Sequence, residues 1–194
     1  MHKRRFLAAG ALGTTIPWRV DAAASELRAG PGLLTVSGAI GRSNRGPLDP
    51  ALDQLMVKHG VSFDRAIVFD AAMLERLPAV TIEPTLEYDA KPHRLSGPLL
   101  GTVLEAADIP AAQPLKLGLR ALDGYTVPLN LAEALGYRMI VASSLDGVPM
   151  SLGGLGPLWA VYDADRLPAF KDRPLKERFA ACPWGLYSID VKPL

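Results

Sequence analysis

The sequence predicts an α+β domain in which mixed β-sheets are interrupted by short helices. Short apolar and β-branched runs alternate with amphipathic runs of roughly two turns, which are typical of strands and short helices. Seventeen prolines and eighteen glycines divide these runs into many small elements. We find no repeat, charge block or low-complexity linker, so residues 25–194 are predicted to form one domain.

The first predicted elements are two strands and a helix. Residues 33–40 and 65–69 are apolar and β-branched, and the Gly/Pro/Asn-rich residues 41–50 form a loop between them. Asp70 is a suitable N-cap for an amphipathic helix over residues 71–77, which a proline ends.

The middle of the chain predicts two short strands, a helix and a hairpin. The strands cover residues 80–82 and 93–96, and residues 99–107 have helical spacing. Residues 115–122 and 125–129 flank an Asp-Gly pair, which is the strongest short-range signal for a hairpin.

The last elements follow the same alternation. The predicted elements, in order, are a helix over 131–135, strands over 139–145 and 158–162, a polar helical segment over 170–179 and a strand over 186–191.

Residues 1–24 are predicted to be an export signal. A basic start at residues 3–5 precedes an apolar stretch over 6–16, and the alanines at 22–24 suit a cleavage site. Residues 3–7 (KRRFL) resemble a twin-arginine signal, and an ordinary secretory signal is the alternative. We therefore expect a periplasmic protein with no membrane span after cleavage, since a span needs about 20 apolar residues.

The net charge and the cysteine content exclude several classes of protein. The formal net charge is +1 for the whole chain and becomes −2 without residues 1–24, so no basic surface for nucleic acid is predicted. Cys182 is the only cysteine, which excludes an internal disulfide, and we expect it to be a small buried residue. The chain also lacks the usual zinc, serine-hydrolase and phosphate-loop motifs.

Five blocks of sequence occur together in a recognisable order. They are residues 69–78 (FDAAMLERLP), 93–100 (HRLSGPLL), 121–129 (ALDGYTVPL), 145–151 (LDGVPMS) and 156–159 (GPLW). In order and spacing they resemble the sulfite-oxidase-type molybdopterin-binding domain. The resemblance implies that fold, and it covers the chain from Leu33 onwards.

One departure from that family bears on function. Metal-loaded members carry a molybdenum-ligating cysteine in the segment that corresponds to residues 80–88, which here is VTIEPTLEY. A molybdenum site of that kind needs a thiolate. A short branch that also lacks this cysteine is thought to bind reduced pterins and to inform a membrane-bound signalling partner. The resemblance therefore implies a periplasmic binding protein for a reduced pterin or related heterocycle.

Candidate ligand-binding residues are carboxylates and aromatic side chains near the matched blocks. A pterin presents two adjacent N–H donors to a carboxylate, and its flat ring favours an aromatic neighbour. The first choices are Glu83, Tyr88, Asp123 and Trp159, and the further candidates are His93, Tyr125 and Trp184. Turn geometry alone also explains Asp123, and core packing also explains the tryptophans.

Three functions stay open at this point. The first is the metal-free pterin-binding protein, with catalytic residues and metal ligands expected to be absent. The second is a molybdopterin-dependent oxidoreductase that holds the molybdenum cofactor, which a twin-arginine signal would suit. The third is a partner-docking domain with an empty pocket and an exposed apolar patch.

Overall fold

The computed structural model describes residues 30–194, and the predicted export signal lies outside them. Within these residues the fold is α+β, as predicted. The strands are β1 (Leu34–Gly38), β2 (Ala66–Phe69), β3 (Ala79–Ile82), β4 (Leu95–Pro98), β5 (Leu115–Ala121), β6 (Thr126–Asn130), β7 (Ile140–Ala142), β8 (Ser144–Leu145), β9 (Val148–Pro149), β10 (Trp159–Val161) and β11 (Leu186–Pro193). The helices are α1 (Gln54–Lys58), α2 (Ala71–Glu75), α3 (Leu100–Ala106) and α4 (Leu131–Gly136), with one 3-10 turn (Leu175–Glu177).

The largest sheet has five strands in the order β2-β1-β11-β5-β6. β1 and β11 pair in parallel and the other pairs are antiparallel, which makes the sheet mixed. Leu117 and Leu119 alternate along β5 and are fully buried, as period-2 patterning requires for a face that lies against the core. The predicted hairpin is present as β5 and β6, with Gly124 at φ +91° in its turn.

Two smaller sheets complete the domain, in the orders β3-β4-β8-β9 and β10-β7. The prediction of a single strand over 139–145 was wrong, because Ser143 divides it. The Ser143 N–H donates to the Ser96 carbonyl at 2.9 Å, and the chain passes there from β7, which pairs with β10, to β8, which pairs with β4. One run of sequence therefore serves both small sheets.

Side-chain caps fix the start of two helices. Asp70 accepts a hydrogen bond from the Met73 N–H at 2.8 Å, which confirms the predicted cap of α2. Asn130 and Glu133 form a capping box at α4. Each cap satisfies backbone donors that a helix start leaves unpaired.

The segment 170–179 differs from its prediction. It consists of turns with a single 3-10 turn, because Pro174 lacks a backbone N–H and interrupts any helix through it. α1 was not predicted, since Met56 is its only buried residue and its apolar pattern is weak.

In the part of the chain that the structure describes, none of the helices has the length and apolar character needed to cross a bilayer.

Candidate functional site

A cleft of about 180 Å³ lies between the loop after β3, the β5–β6 hairpin and the segment that leads into β11. We call it the aromatic cleft. Its lining residues are Glu87, Tyr88, Ala121, Asp123, Tyr125, Lys176, Phe179, Ala180, Cys182, Pro183 and Trp184. The cleft thus gathers four of the residues predicted to bind a ligand, namely Tyr88, Asp123, Tyr125 and Trp184.

Three aromatic side chains line this cleft without being buried in the core. Tyr88 is 55% exposed, Tyr125 53% and Trp184 39%. The Tyr125 hydroxyl donates to the Ala180 carbonyl at 2.8 Å, which fixes its ring against the opposite wall. Several exposed aromatic side chains around one concavity are typical of a binding surface.

Two carboxylates lie among these rings. Asp123 accepts a hydrogen bond from the Tyr125 N–H at 2.8 Å, so it does shape the hairpin turn. Glu87 is half-buried, and no residue from 30 to 194 forms an ion pair with it. Burial first, and then the charge of Glu87, raise the pKa of Tyr88 above its ordinary value. Glu87 therefore lies close to the Tyr88 hydroxyl, inside the cleft.

Cys182 forms part of the cleft wall. It is buried, which confirms the prediction for this residue. Burial raises the pKa of its thiol to about 12. A thiol with such a pKa stays protonated at neutral pH and is a poor nucleophile and a poor metal ligand.

Trp159 requires a correction, because it lies in the core rather than at the cleft. It is 1% exposed, and its indole N–H donates to the Cys182 carbonyl at 2.9 Å. Its ring packs beside Phe179, with centroids 6.1 Å apart. Trp159 thus supports the wall from behind and presents no face to a ligand.

Glu83 lies at a second and larger cavity, which we call the arginine groove. Its volume is about 500 Å³, and its lining residues are Val80, Thr81, Ile82, Glu83, Arg94, Tyr137, Arg138, Asp163, Arg166 and Leu167. The Glu83 carboxylate is 3.6 Å from the Arg94 guanidinium. The segment 80–88 therefore borders both cavities, with Glu83 on one side and Glu87 on the other.

Thr85, which lies between Glu83 and Glu87 in this segment, is held by Asp165. One oxygen of its carboxylate accepts from the Thr85 N–H at 2.7 Å, and the other accepts from Arg178 at 2.7 Å. Asp165 so ties the loop that carries Glu87 and Tyr88 to the segment that carries Lys176.

His93 lies outside both cavities. Its Nδ1 is 2.7 Å from Asp146 and its Nε2 is 3.0 Å from Asp89. The hydrogen bond to Asp146, and next the one to Asp89, raise the pKa of His93. This residue joins the loop that follows Tyr88 to the turn between β8 and β9.

Sequence reasoning missed two residues of the cleft, Glu87 and Lys176. Glu87 is not among the candidates predicted from the sequence, although its position beside Tyr88 was a usable signal. Lys176 lies in the segment 170–179, for which a polar helical segment was predicted and where the structure has turns and one 3-10 turn. Within residues 30–194, the structure groups no three His, Cys, Asp or Glu side chains in a way that suits a metal ion.

No protein-family model matches this chain, and no curated protein matches it in sequence.

Proposed function

We propose that this protein binds a reduced pterin or a related heterocycle in the aromatic cleft, without molybdenum, and reports its presence to a membrane-bound signalling partner in the periplasm. The observation that carries the proposal is the half-buried Glu87 carboxylate, which forms no ion pair within residues 30–194 and lies among three aromatic side chains. The order of the sequence blocks supports a sulfite-oxidase-type fold, and the composition of residues 1–24 supports export.

The chemistry of the cleft suits the polar edge of a pterin. Glu87 supplies a carboxylate that accepts the ring N–H and the 2-amino group together, in a charge-assisted pair. Lys176 supplies a donor for the 4-oxo group. The flat ring then packs against Tyr88 and Trp184, since stacking of aromatic faces adds to the area that is buried.

The size of the cleft favours a small ligand. Sites for drug-sized molecules have volumes of roughly 300–1,000 Å³. The aromatic cleft, at about 180 Å³, is smaller and suits a bicyclic ring whose substituents project into solvent.

The alternative is a molybdopterin-dependent oxidoreductase in which another residue, or none, ligates the metal; a cysteine-ligated site would need a protein sulfur donor beside the ligand. Cys182 is the only cysteine, and burial raises the pKa of its thiol to about 12. A metal binds the thiolate form, so metal binding would have to remove the proton of the Cys182 thiol, which burial favours. The donor set of the cleft therefore favours recognition of the heterocycle over metal redox chemistry.

The test is an anaerobic titration of the purified protein with a tetrahydropterin, followed by calorimetry and by tryptophan fluorescence. We expect saturable binding with quenching of Trp184. Glu87→Gln should weaken binding by about tenfold or more, because it removes the charge from the hydrogen-bonded pair. Glu83→Gln is the matched control, since Glu83 lies at the other cavity, and it should leave affinity unchanged.

Two results would contradict the proposal. One is the absence of binding at high micromolar ligand. The other is equal binding of tetramethylammonium, which has no N–H donors and would show that the cleft recognises positive charge alone. Near-stoichiometric molybdenum in protein from its native host would favour the oxidoreductase instead.

A further inference from the structure

The arginine groove follows the free edge of β3. This strand ends the four-stranded sheet, so one of its edges has no strand neighbour within the described chain. Residues 80–83 all line the groove. Successive side chains of a strand point to opposite faces of the sheet, so a groove on one face would be lined by alternate residues only. Because four consecutive residues line this groove, it also runs along the edge of the strand.

Hydrogen bonding in the sheet shows which backbone groups face outward. The carbonyls of Arg94 and Ser96 accept from Asp146 and Ser143, on the side of β4 that faces β8. The alternate residues of β4, Leu95 and Gly97, therefore turn toward β3.

The register then fixes the orientation of β3. Leu95 pairs with Ile82, and Gly97 pairs with Val80. The backbone N–H and C=O groups of Ala79 and Thr81 consequently point away from β4, toward the free edge.

The free edge of β3 lacks the usual protection against pairing. Natural edge strands carry charged side chains, prolines or bulges that prevent addition of another strand. Residues 79–82 (AVTI) contain none of these, and prolines occur only outside the strand, at positions 78 and 84. A strand of this kind is competent to pair with an extended peptide.

The far wall of the groove carries positive charge. Glu83 neutralises Arg94, and Asp163 neutralises Arg166 at 3.3 Å. The guanidinium of Arg138 has no hydrogen bond or ion pair with any residue from 30 to 194. Its backbone is held at φ +51°, a conformation that costs a non-glycine residue free energy. Arg138 is exposed, and its side chain lines the groove without an acidic partner among the described residues.

One acceptor in the wall is also unsatisfied. The Oδ1 atom of Asp163 is buried and accepts no hydrogen bond within the described residues. Buried acceptors are nearly always paired, so this oxygen is open to a water molecule or to a donor of a bound partner.

We propose that the arginine groove binds an extended acidic segment of a partner protein, which adds to β3 as a further strand. Backbone groups of the segment pair with those of Ala79 and Thr81, and its acidic side chains reach Arg138. The proposal does not depend on what the aromatic cleft holds.

The test uses a fluorescein-labelled peptide of eight residues in which valine and glutamate alternate, and binding is followed by fluorescence anisotropy. We expect the full-length protein to bind it saturably. A peptide with lysine in place of glutamate should bind at least about tenfold more weakly, because charge-assisted hydrogen bonds are lost. A valine–glutamate peptide N-methylated at alternate residues should also fail to bind.

Variants of the protein separate the two parts of the recognition. Thr81→Pro removes an N–H from the free edge without removing one from the ladder to β4, and it should abolish binding, whereas Thr81→Ala should not. Arg138→Asn should weaken binding by at least about tenfold, and Lys116→Asn, which removes a charge from exposed β5 surface, should not.

Three outcomes would overturn the proposal. The first is equal binding of the acidic and basic peptides, and the second is binding that persists in Thr81→Pro. The third is a dimer in analytical ultracentrifugation that Thr81→Pro dissociates, which would assign the edge to a second copy of this chain. Pterin binding should be unchanged in Arg138→Asn, so failure here is distinguishable from failure of the proposed function.

Discussion

The carboxylate of Asp165 accepts a hydrogen bond from the backbone N–H of Thr85 at 2.7 Å, across 80 positions of sequence. Its other oxygen forms an ion pair with Arg178, and both side chains of this pair are largely buried. One carboxylate therefore ties the loop that carries Glu87 and Tyr88 to the segment that carries Lys176.

Asp165→Ala should lower the free energy of unfolding by about 2 kcal/mol, because two charge-assisted hydrogen bonds are lost. Urea denaturation measures this. Asp172→Ala is the matched control, since Asp172 pairs only with exposed Lys171, and such pairs contribute about 0–1 kcal/mol. Equal losses of unfolding free energy in the two variants would show that the hydrogen bonds of Asp165 do not stabilise the fold.

Substitution by phenylalanine should lower stability at Trp159 and ligand binding at Trp184. Trp159→Phe should lower stability by about 2 kcal/mol, because it leaves a gap in the core and an unpaired Cys182 carbonyl. Trp184→Phe should change stability little and reduce pterin binding. Denaturation followed by circular dichroism measures the stability of both variants, and calorimetry measures their binding of the ligand. A Trp159→Phe variant with unchanged stability and weakened binding would place Trp159 at the ligand instead of in the core.

His93 should contribute more stability at pH 5.5 than at pH 8.5. Both ring nitrogens lie against carboxylates, so the protonated ring makes both hydrogen bonds, and the pKa of His93 is raised above 6.5. The contribution is fully present below pH 6.5 and is lost as pH rises through the raised pKa. The contribution of His93 is lost a second time below about pH 4. His93 lowers the pKa of Asp89 and Asp146 from 3.8, and the contribution disappears as pH falls through these lowered values and the two carboxylates become protonated.

Urea denaturation of wild type and His93→Gln at the two pH values measures this difference. An equal destabilisation at pH 5.5 and pH 8.5 would show that protonation of His93 is not linked to folding.

Two glycines should respond in opposite directions to alanine. A Cβ on Gly97 would lie 2.0 Å from the Val141 carbonyl oxygen, so Gly97→Ala should force β4 and β7 apart and cost at least about 2 kcal/mol. Around Gly136, at the end of α4, a Cβ meets no atom within 4 Å. Gly136→Ala should therefore be neutral or stabilise the fold by up to about 1 kcal/mol, as thermal unfolding of the two variants would show.

Cys182 should be unreactive in the folded protein. Burial limits access and raises the pKa of its thiol to about 12, so the thiolate needed for reaction is scarce. Ellman's reagent at pH 8 should react slowly with native protein and fully in 6 M guanidinium chloride. Rapid reaction of the native protein would indicate an open, ionisable thiol and would revive the metal-dependent alternative.

The elements that sequence predicted well are those whose signals are local. An Asp-Gly pair marks the β5–β6 hairpin, and Asp70 marks the start of α2. The division at Ser143 has no local signal, because the two halves of that run differ only in the strands with which they pair. Sheet membership depends on contacts between distant residues, which a pattern of hydrophobicity does not contain.

The candidate site likewise has a part that the sequence predicts and a part that depends on distant contacts. Tyr88, Asp123, Tyr125 and Trp184 were predicted from the chemistry of their side chains, and the structure brings all four to one cleft. The separation of Glu83, at the arginine groove, from Glu87, at the aromatic cleft, could not be foreseen from residues 80–88 alone, since Thr85 between them is held by the distant Asp165.

The parallel pairing of β1 with β11 places the last strand of the chain in the middle of the five-stranded sheet. A nascent chain therefore cannot complete this sheet until β11 has left the ribosome. Until β11 is available, β1 and β5 each lack one neighbour in the sheet, so their open edges are exposed to wrong pairing during synthesis.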